Sequence, residues 1–348
     1  MDNHQNLDKS RQSGIELLRI IAIFMVLAGH ANARVLGLPS PSDFVSSTSS
    51  SVMRMLFSSV VVGGVDIFVM ISGWFGIHAK PRGLAKLLFE VFFLLWGIYA
   101  VFLLTGNATL NAHDIKVCLT LTDEYWFVMA YIGLYVLAYI GLYVLSSVLN
   151  AFVENATKRE FQMVLAAFYV FQCYFCWVSG ALDYFSGYSV TFFCGLYLTA
   201  RYFRLYPVKV IASHGAAVYF ACLLIVTMVS IVAMARFGNG ARMLRYDNPL
   251  VIMSSLGLLS SFARMRFHSC VVNSLATACF AVYIIHFDPL LFHYFAMAVR
   301  WIYQSTSGLL AVAGIGAFLV AVFLACWLVD RVRLWVSRKI FIPKSLQR

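Results

Sequence analysis

The sequence predicts an all-α fold, a polytopic bundle of about ten transmembrane helices, and three observations carry that prediction. The 348 residues are 61% hydrophobic and 12% charged, with 30 Phe and 18 Tyr. A soluble domain carries about 25% charged residues, and a chain this apolar could not cover its own core with polar surface. In a bilayer, lipid is the solvent for the outer surface, and the difficulty disappears. Second, the apolar residues gather into runs close to the ~20 residues that cross ~30 Å of hydrocarbon. Third, the basic residues lie between the runs and are shared unevenly between alternate connections. A net charge of +11 would suggest nucleic acid in a soluble protein; here it reads as topology, and no nucleic-acid partner is expected.

The runs are 15–35, 55–78, 87–105, 125–149, 161–180, 187–200, 213–235, 248–262, 270–291 and 307–329. Those at 187–200 and 248–262 are short, which leaves the count open by one or two. With ten spans and a cytoplasmic N-terminus, 18 of the 26 Lys and Arg lie inside, seven lie outside and Arg19 falls within the first run. That asymmetry follows the positive-inside rule and places both termini in the cytoplasm. Residues 1–14 are then a short cytoplasmic N-terminus without a signal-peptide cleavage pattern, and 331–348 a basic tail along the membrane surface. The whole chain, 1–348, reads as one membrane domain with no room for a separate soluble one. The eight cysteines lie mostly inside apolar runs. Cys173 and Cys176 have CxxC spacing, but a metal site needs polar support that VFQCYFCWVSG lacks, so they read as apolar fillers and no metal is expected.

Ionisable residues within hydrocarbon are costly and point to function. The first run carries Glu16, Arg19 and His30, the second Asp66, the third Glu90, and the ninth His286 and Asp288. Arg19 and His30 are eleven positions apart; at about 100° per residue they share a helix face, with a rise of ~16.5 Å. Glu16 lies one turn before Arg19, where it can hold the guanidinium. A His titrates near neutrality and suits a general base, and an Arg suits an anion or a developing oxyanion. The bland alternative is a snorkelling Arg and an interfacial His. Asp66 stands in VGGVDIFVMISGWFGI, whose Gly and Ser read as close helix packing. Lys80, Arg82 and Lys86 follow the second run and could hold donor phosphates, or be ordinary positive-inside residues. His286, beside Asp288-Pro289, is a second catalytic candidate or an interfacial His.

RIIAIFMVLAGH places ten residues between Arg19 and His30. With GVDIFVMISGW, EYWFVMAYIGLYVL and FAVYIIH, in that order, the chain resembles the acyltransferase-3 family of membrane O-acyltransferases along almost its whole length. Trp126–Tyr135 and Gly195–Tyr206 are similar to segments of bacterial surface-polysaccharide O-acetyltransferases. The resemblance implies about ten helices, acyl-CoA (acetyl-CoA) as donor substrate with no permanently bound cofactor, a saccharide hydroxyl as acceptor, and a bacterial plasma membrane location. It assigns catalysis to Arg19 and His30, which we extend to Asp66 with Glu16 orienting, and it makes Trp126 an acceptor-side candidate. The family often shows Arg-x-x-Arg for the donor; after the second run stand Lys80, Arg82 and Lys86 instead. The competing function is a transporter or flippase of a lipid-linked saccharide, which would also need buried charges; no similar halves are visible. Residues 130–137 and 138–145 both read AYIGLYVL, a tandem repeat too short to be architectural.

Overall fold

In hydrocarbon a lone segment can satisfy its backbone N–H and C=O groups only internally, so the apolar runs fold as helices. The computed structural model describes residues 12–77, 80–112, 115, 119, 138–179 and 190–341, of which 138–144, 146 and 147 by backbone alone. In chain order, α1 is Ser13–Gly29 and passes directly into a π-helical turn, His30–Val35. α2, Pro41–Ser46, opens on a capping box in which the Ser40 amide donates to Asp43 (2.7 Å). The Ser40 hydroxyl also donates to Asp43 (2.7 Å), and together the amide and hydroxyl hold the Asp43 carboxyl below its ordinary range. α3 is Thr48–Val61, α4 Gly64–Phe75, α5 Pro81–Leu104 and α6 Ala138–Asn155. α7, Lys158–Cys173, has a Thr157–Glu160 capping box and ends in a π turn, Tyr174–Ser179. α8 is Val190–Leu205, and α9, Lys209–Phe237, stops at Gly238 in the left-handed region. A 3-10 turn, Gly240–Leu244, precedes α10, Pro249–Ala263. α11 is Cys270–Ala276, α12 Cys279–Phe287, α13 Pro289–Ser305 and α14 Gly308–Phe341. Among the described residues there is no strand.

Among the described residues, seven stretches are long and apolar enough to cross a membrane: Ser13–Val35, Thr48–Phe75, Pro81–Leu104, Lys158–Ser179, Lys209–Phe237, Cys270–Phe287 and Gly308–Phe341. The difference from ten has local causes. The expected span 125–149 lies largely outside the described residues, as do residues 187–189 of the span 187–200; the described parts of 187–200 and 248–262 lie in the 16-residue α8 and the 15-residue α10. At ~1.5 Å per residue these reach only ~24 and ~22 Å. Asp288 and Pro289 end α12 and start α13, which the run analysis did not separate as an element. α14 has 34 residues, ~51 Å of helix, and so continues as helix into the segment expected as the basic tail.

The chain divides into two compact units, one of Met1–Gly76 with Asn155–Thr277, the other of Ile77–Glu154 with Ala278–Arg348. In the first, α4 packs on α8 at backbone distance: a Cβ on Gly73 would lie 2.4 Å from the Tyr197 carbonyl oxygen, so only glycine fits. α9 and α10 meet the same way through Gly215 and Gly257. The stretch α3–α4 is broken at Val62–Gly63, where the Ser255 hydroxyl donates to the Gly63 carbonyl (3.3 Å). One end of this unit gathers Ser13, bonded to Asn273 (2.9 Å), and Arg264, bonded to the Ala212 and Ser213 carbonyls (2.8 Å each). The other end holds Arg54, bonded to Asn32, and an apolar cluster of Phe44, Met55 and Met234.

In the second unit α14 packs on α5 through Phe341 against Phe89 (5.7 Å between ring centres), and α13 meets α5 through Tyr294 and Phe102 (6.0 Å). Arg333 on α14 holds two carboxylates at once, Asp330 (2.7 Å) and Glu90 of α5 (3.3 Å). Large apolar side chains are exposed along α9 (Phe220, Leu224, Met228) and α14 (Leu309, Leu310, Val312). On a soluble protein such faces would mark interfaces; here they are the surface that meets lipid.

Candidate active site

α1 is regular from Ser13 through Gly29, so the phase relating Arg19 to His30 holds until His30 itself opens the π turn. Arg19 Nη1 donates to both carboxylate oxygens of Glu16 at 3.2 Å; the Arg19 side chain is 33% exposed and that of Glu16 9%. The His30 N–H is shared between the Val26 and Leu27 carbonyls, and the residue is half-buried.

Asp66 is fully buried in the first turn of α4, where the open N–H groups of a helix start favour a carboxylate. Neither carboxylate oxygen has a hydrogen-bond partner among the described residues. A buried carboxylate left this way is costly, and an ionisable group inside hydrocarbon is a candidate for function. Its height in the unit follows from Gly64, where a Cβ would lie 2.9 Å from the Ala22 carbonyl. Ala22 is three residues past Arg19 and eight before His30, ~4.5 and ~12 Å along α1. Glu16, Arg19, Asp66 and His30 therefore belong to one unit, with Asp66 at a level between the cation and the imidazole.

Lys80, Arg82 and Lys86 belong to the other unit, exposed at the start of α5, with Arg82 donating to the Phe341 carbonyl. His286 is there too, 3% exposed, its Nδ1 2.7 Å from the Val282 carbonyl and its ring 5.9 Å from those of Tyr283 and Phe295. Asp288 caps α13 through the Leu290 N–H (2.9 Å), a structural task. Trp126 lies outside the described residues.

Two clusters escaped the sequence reading. At the Ser13 end of the first unit, the Arg201 guanidinium lies 3.3 Å from where a Gly76 Cβ would be, and its Nε is buried with no hydrogen-bond partner among the described residues. Arg204 donates to the Trp74 carbonyl (2.5 Å) and lies 5.5 Å from the centre of the Phe75 ring. Beside them is a cavity of about 410 Å³ lined by Trp74, Phe203, Ile211, Ser260 and Arg264 among others. The signal was legible: Arg201-Tyr-Phe-Arg204 has the Arg-x-x-Arg spacing sought after the second run.

The second cluster is at the opposite end. Arg245 binds Asp247 through Nε (3.0 Å) and Nη2 (2.5 Å), while Arg242 and Arg245 lie 5.3 and 5.8 Å from the Trp177 ring centre. Gln172 donates to the Cys176 sulfur (3.1 Å). Cys176 thus has a polar partner, and the filler reading of it is too simple. Read singly, Arg242 and Arg245 are outer-loop cations; only the fold brings both within 6 Å of the Trp177 ring centre.

These features define a polytopic helical membrane protein with an intramembrane carboxylate, a paired Arg and a His in one unit. The acyltransferase-3 family model, described as an acyltransferase domain, matches residues 12–331, nearly the whole chain, and the chain belongs to that family of membrane acyltransferases. No curated protein and no solved structure matches it.

Proposed function

We propose that this acyltransferase moves an acetyl group from acetyl-CoA to a sugar hydroxyl of an envelope polysaccharide or of its lipid-linked precursor. It would do so in a bacterial plasma membrane with both termini cytoplasmic. The observation that carries the reading is the grouping of the Glu16–Arg19 pair, unpartnered Asp66 and His30 in one unit of an acyltransferase-family chain.

In the direct form of the reaction His30 takes the proton of the sugar hydroxyl. The hydroxyl oxygen attacks the thioester carbonyl carbon, the C–S bond breaks, and the sulfur leaves as the CoA thiol with the proton from His30. Arg19, oriented by Glu16, offers N–H groups to the oxyanion that develops. Asp66 accepts a hydrogen bond from the acceptor. Donor phosphates are assigned to Lys80, Arg82 and Lys86, and Arg201 with Arg204 is a second candidate pair, favoured by the buried Arg201 Nε with no partner among the described residues. Trp126 keeps its acceptor-side assignment, and the Trp177–Arg245–Asp247 cluster adds aromatic and polar surface suited to a saccharide.

Transport of a lipid-linked saccharide is the competing function, and the broken α3–α4 stretch with Asp66 just past the break favours it, since broken helices line transporter sites. Purified protein given acetyl-CoA and the lipid-linked glycan fraction separates the two. Acetyl transfer with release of one CoA thiol per ester supports the acyltransferase; glycan flipping with no thiol release would replace it with a transporter.

A further inference from the structure

α1 does not end at the membrane boundary as an ordinary helix. At His30 it widens into a π turn, closed by the Leu36 N–H on the Ala31 carbonyl (3.2 Å). Such turns are rare and costly, and they recur at functional sites, where they re-aim a side chain. A widened turn needs outside support for its backbone, and here the support comes from α3. Arg54 Nε donates to Asn32 Oδ1 (3.3 Å), and its Nη2 donates to the Asn32 carbonyl (3.4 Å) and to the carbonyl of Gly37. Asn32 is 6% exposed, and its Nδ2 returns bonds to the Ser58 hydroxyl (2.8 Å) and the Arg54 carbonyl (3.2 Å). Ser58 in turn donates to the Arg54 carbonyl (3.0 Å). Both polar ends of the Asn32 side chain are thus occupied, and one planar guanidinium spans the turn from its third residue to the glycine beyond it, which sits at φ +73°.

We infer that Asn32 and Arg54 are positioning residues: they hold the π turn in the form that fixes where the His30 imidazole stands. The inference rests on the reading of His30 as the base. The clamp is a fork fixed at three acceptors, and a point charge at position 54 could not reproduce it. A base displaced by about 1 Å can cost about 100-fold in rate while substrate binding is kept.

The experiment uses the full chain in native membranes containing its own acceptor, with CoA thiol release followed against acetyl-CoA concentration and normalised to folded, monodisperse protein. Arg54→Lys and Asn32→Leu are expected to lower kcat about 10- to 100-fold with KM for acetyl-CoA within about twofold. Asn32→Asp keeps an acceptor for Arg54 Nε and should recover kcat to within a few-fold of wild type. A purely structural clamp would lower the amount of folded protein and leave kcat per folded molecule unchanged. That result, or equal losses in Asn32→Asp and Asn32→Leu, would overturn the inference. His30→Ala separates the two levels: if it retains wild-type turnover, the base assignment fails; if it is inactive while Arg54→Lys and Asn32→Leu turn over normally, only the positioning role fails.

Discussion

Replacing Arg333 by Met should be among the most damaging single changes in the second unit. The Arg333 side chain is 6% exposed and ion-pairs with both Asp330, 0% exposed, and Glu90, 14% exposed. Among the described residues Arg331 is a further cation beside the pair, 3.7 Å from Asp330 Oδ2. Removing the guanidinium therefore leaves the buried Asp330 and the half-buried Glu90 with Arg331, one-third exposed and 3.7 Å from Asp330, as counter-charge. Breaking a buried pair by deleting one partner costs about 3–5 kcal/mol, whereas replacing the whole group by neutral residues of similar size is often near neutral. At about 2–4 °C per kcal/mol this corresponds to a fall in Tm of roughly 6–20 °C. The assay is thermal unfolding of the detergent-purified protein. Arg333→Met should show the fall, and Arg333→Met with Glu90→Gln and Asp330→Asn should regain most of it. If Arg333→Met melts within about 2 °C of wild type, the network is not an interior charge cluster and the reasoning about it fails.

Gly73→Ala should cost about 1–3 kcal/mol by forcing α4 from α8, whereas Gly97→Ala, with nothing within 4 Å of its Cβ, should be neutral or stabilising; equal melting of the two would contradict the close crossing. Arg82→Ala with Lys86→Ala should raise KM for acetyl-CoA about 10- to 100-fold with little loss of kcat, the scale of a lost charge-assisted bond; an unchanged KM moves the donor role to Arg201 and Arg204. Deleting 138–145 joins the first AYIGLYVL copy directly to Ser146, so insertion and acetylation at or above the present level are expected. Failure to insert would make the second copy a required part of the fold.

What the sequence made legible was whatever local spacing encodes. Glu16 and Arg19 are one turn apart, and the helix brings them to 3.2 Å. The long apolar runs are helices, because lipid admits little else. Asp66 was visible as a charge in an apolar run, but its lack of a partner is a property of every neighbour at once. Glu90 was noted without a partner because Arg333 lies on a helix remote in sequence. The clamp of Arg54 on Asn32 was hidden for the same reason, and a π turn has no composition signal. Arg201 and Arg204 differ: their Arg-x-x-Arg spacing is in plain view, but it follows a short apolar run far from the connection after the second one, and there it reads as topology. The runs at 187–200 and 248–262 read as spans from apolar content; the described helices there, α8 and α10, have 16 and 15 residues, and a stretch that short spans only where the bilayer thins around it or flanking side chains snorkel.

The central claim is acyl transfer with His30 as the base, and the acetyl ester content of the surface glycan tests it most directly. Cells carrying the wild-type chain or His30→Ala are compared at equal amounts of inserted protein. The account predicts ester in the first and none above background in the second. Wild-type ester content with His30→Ala would contradict it.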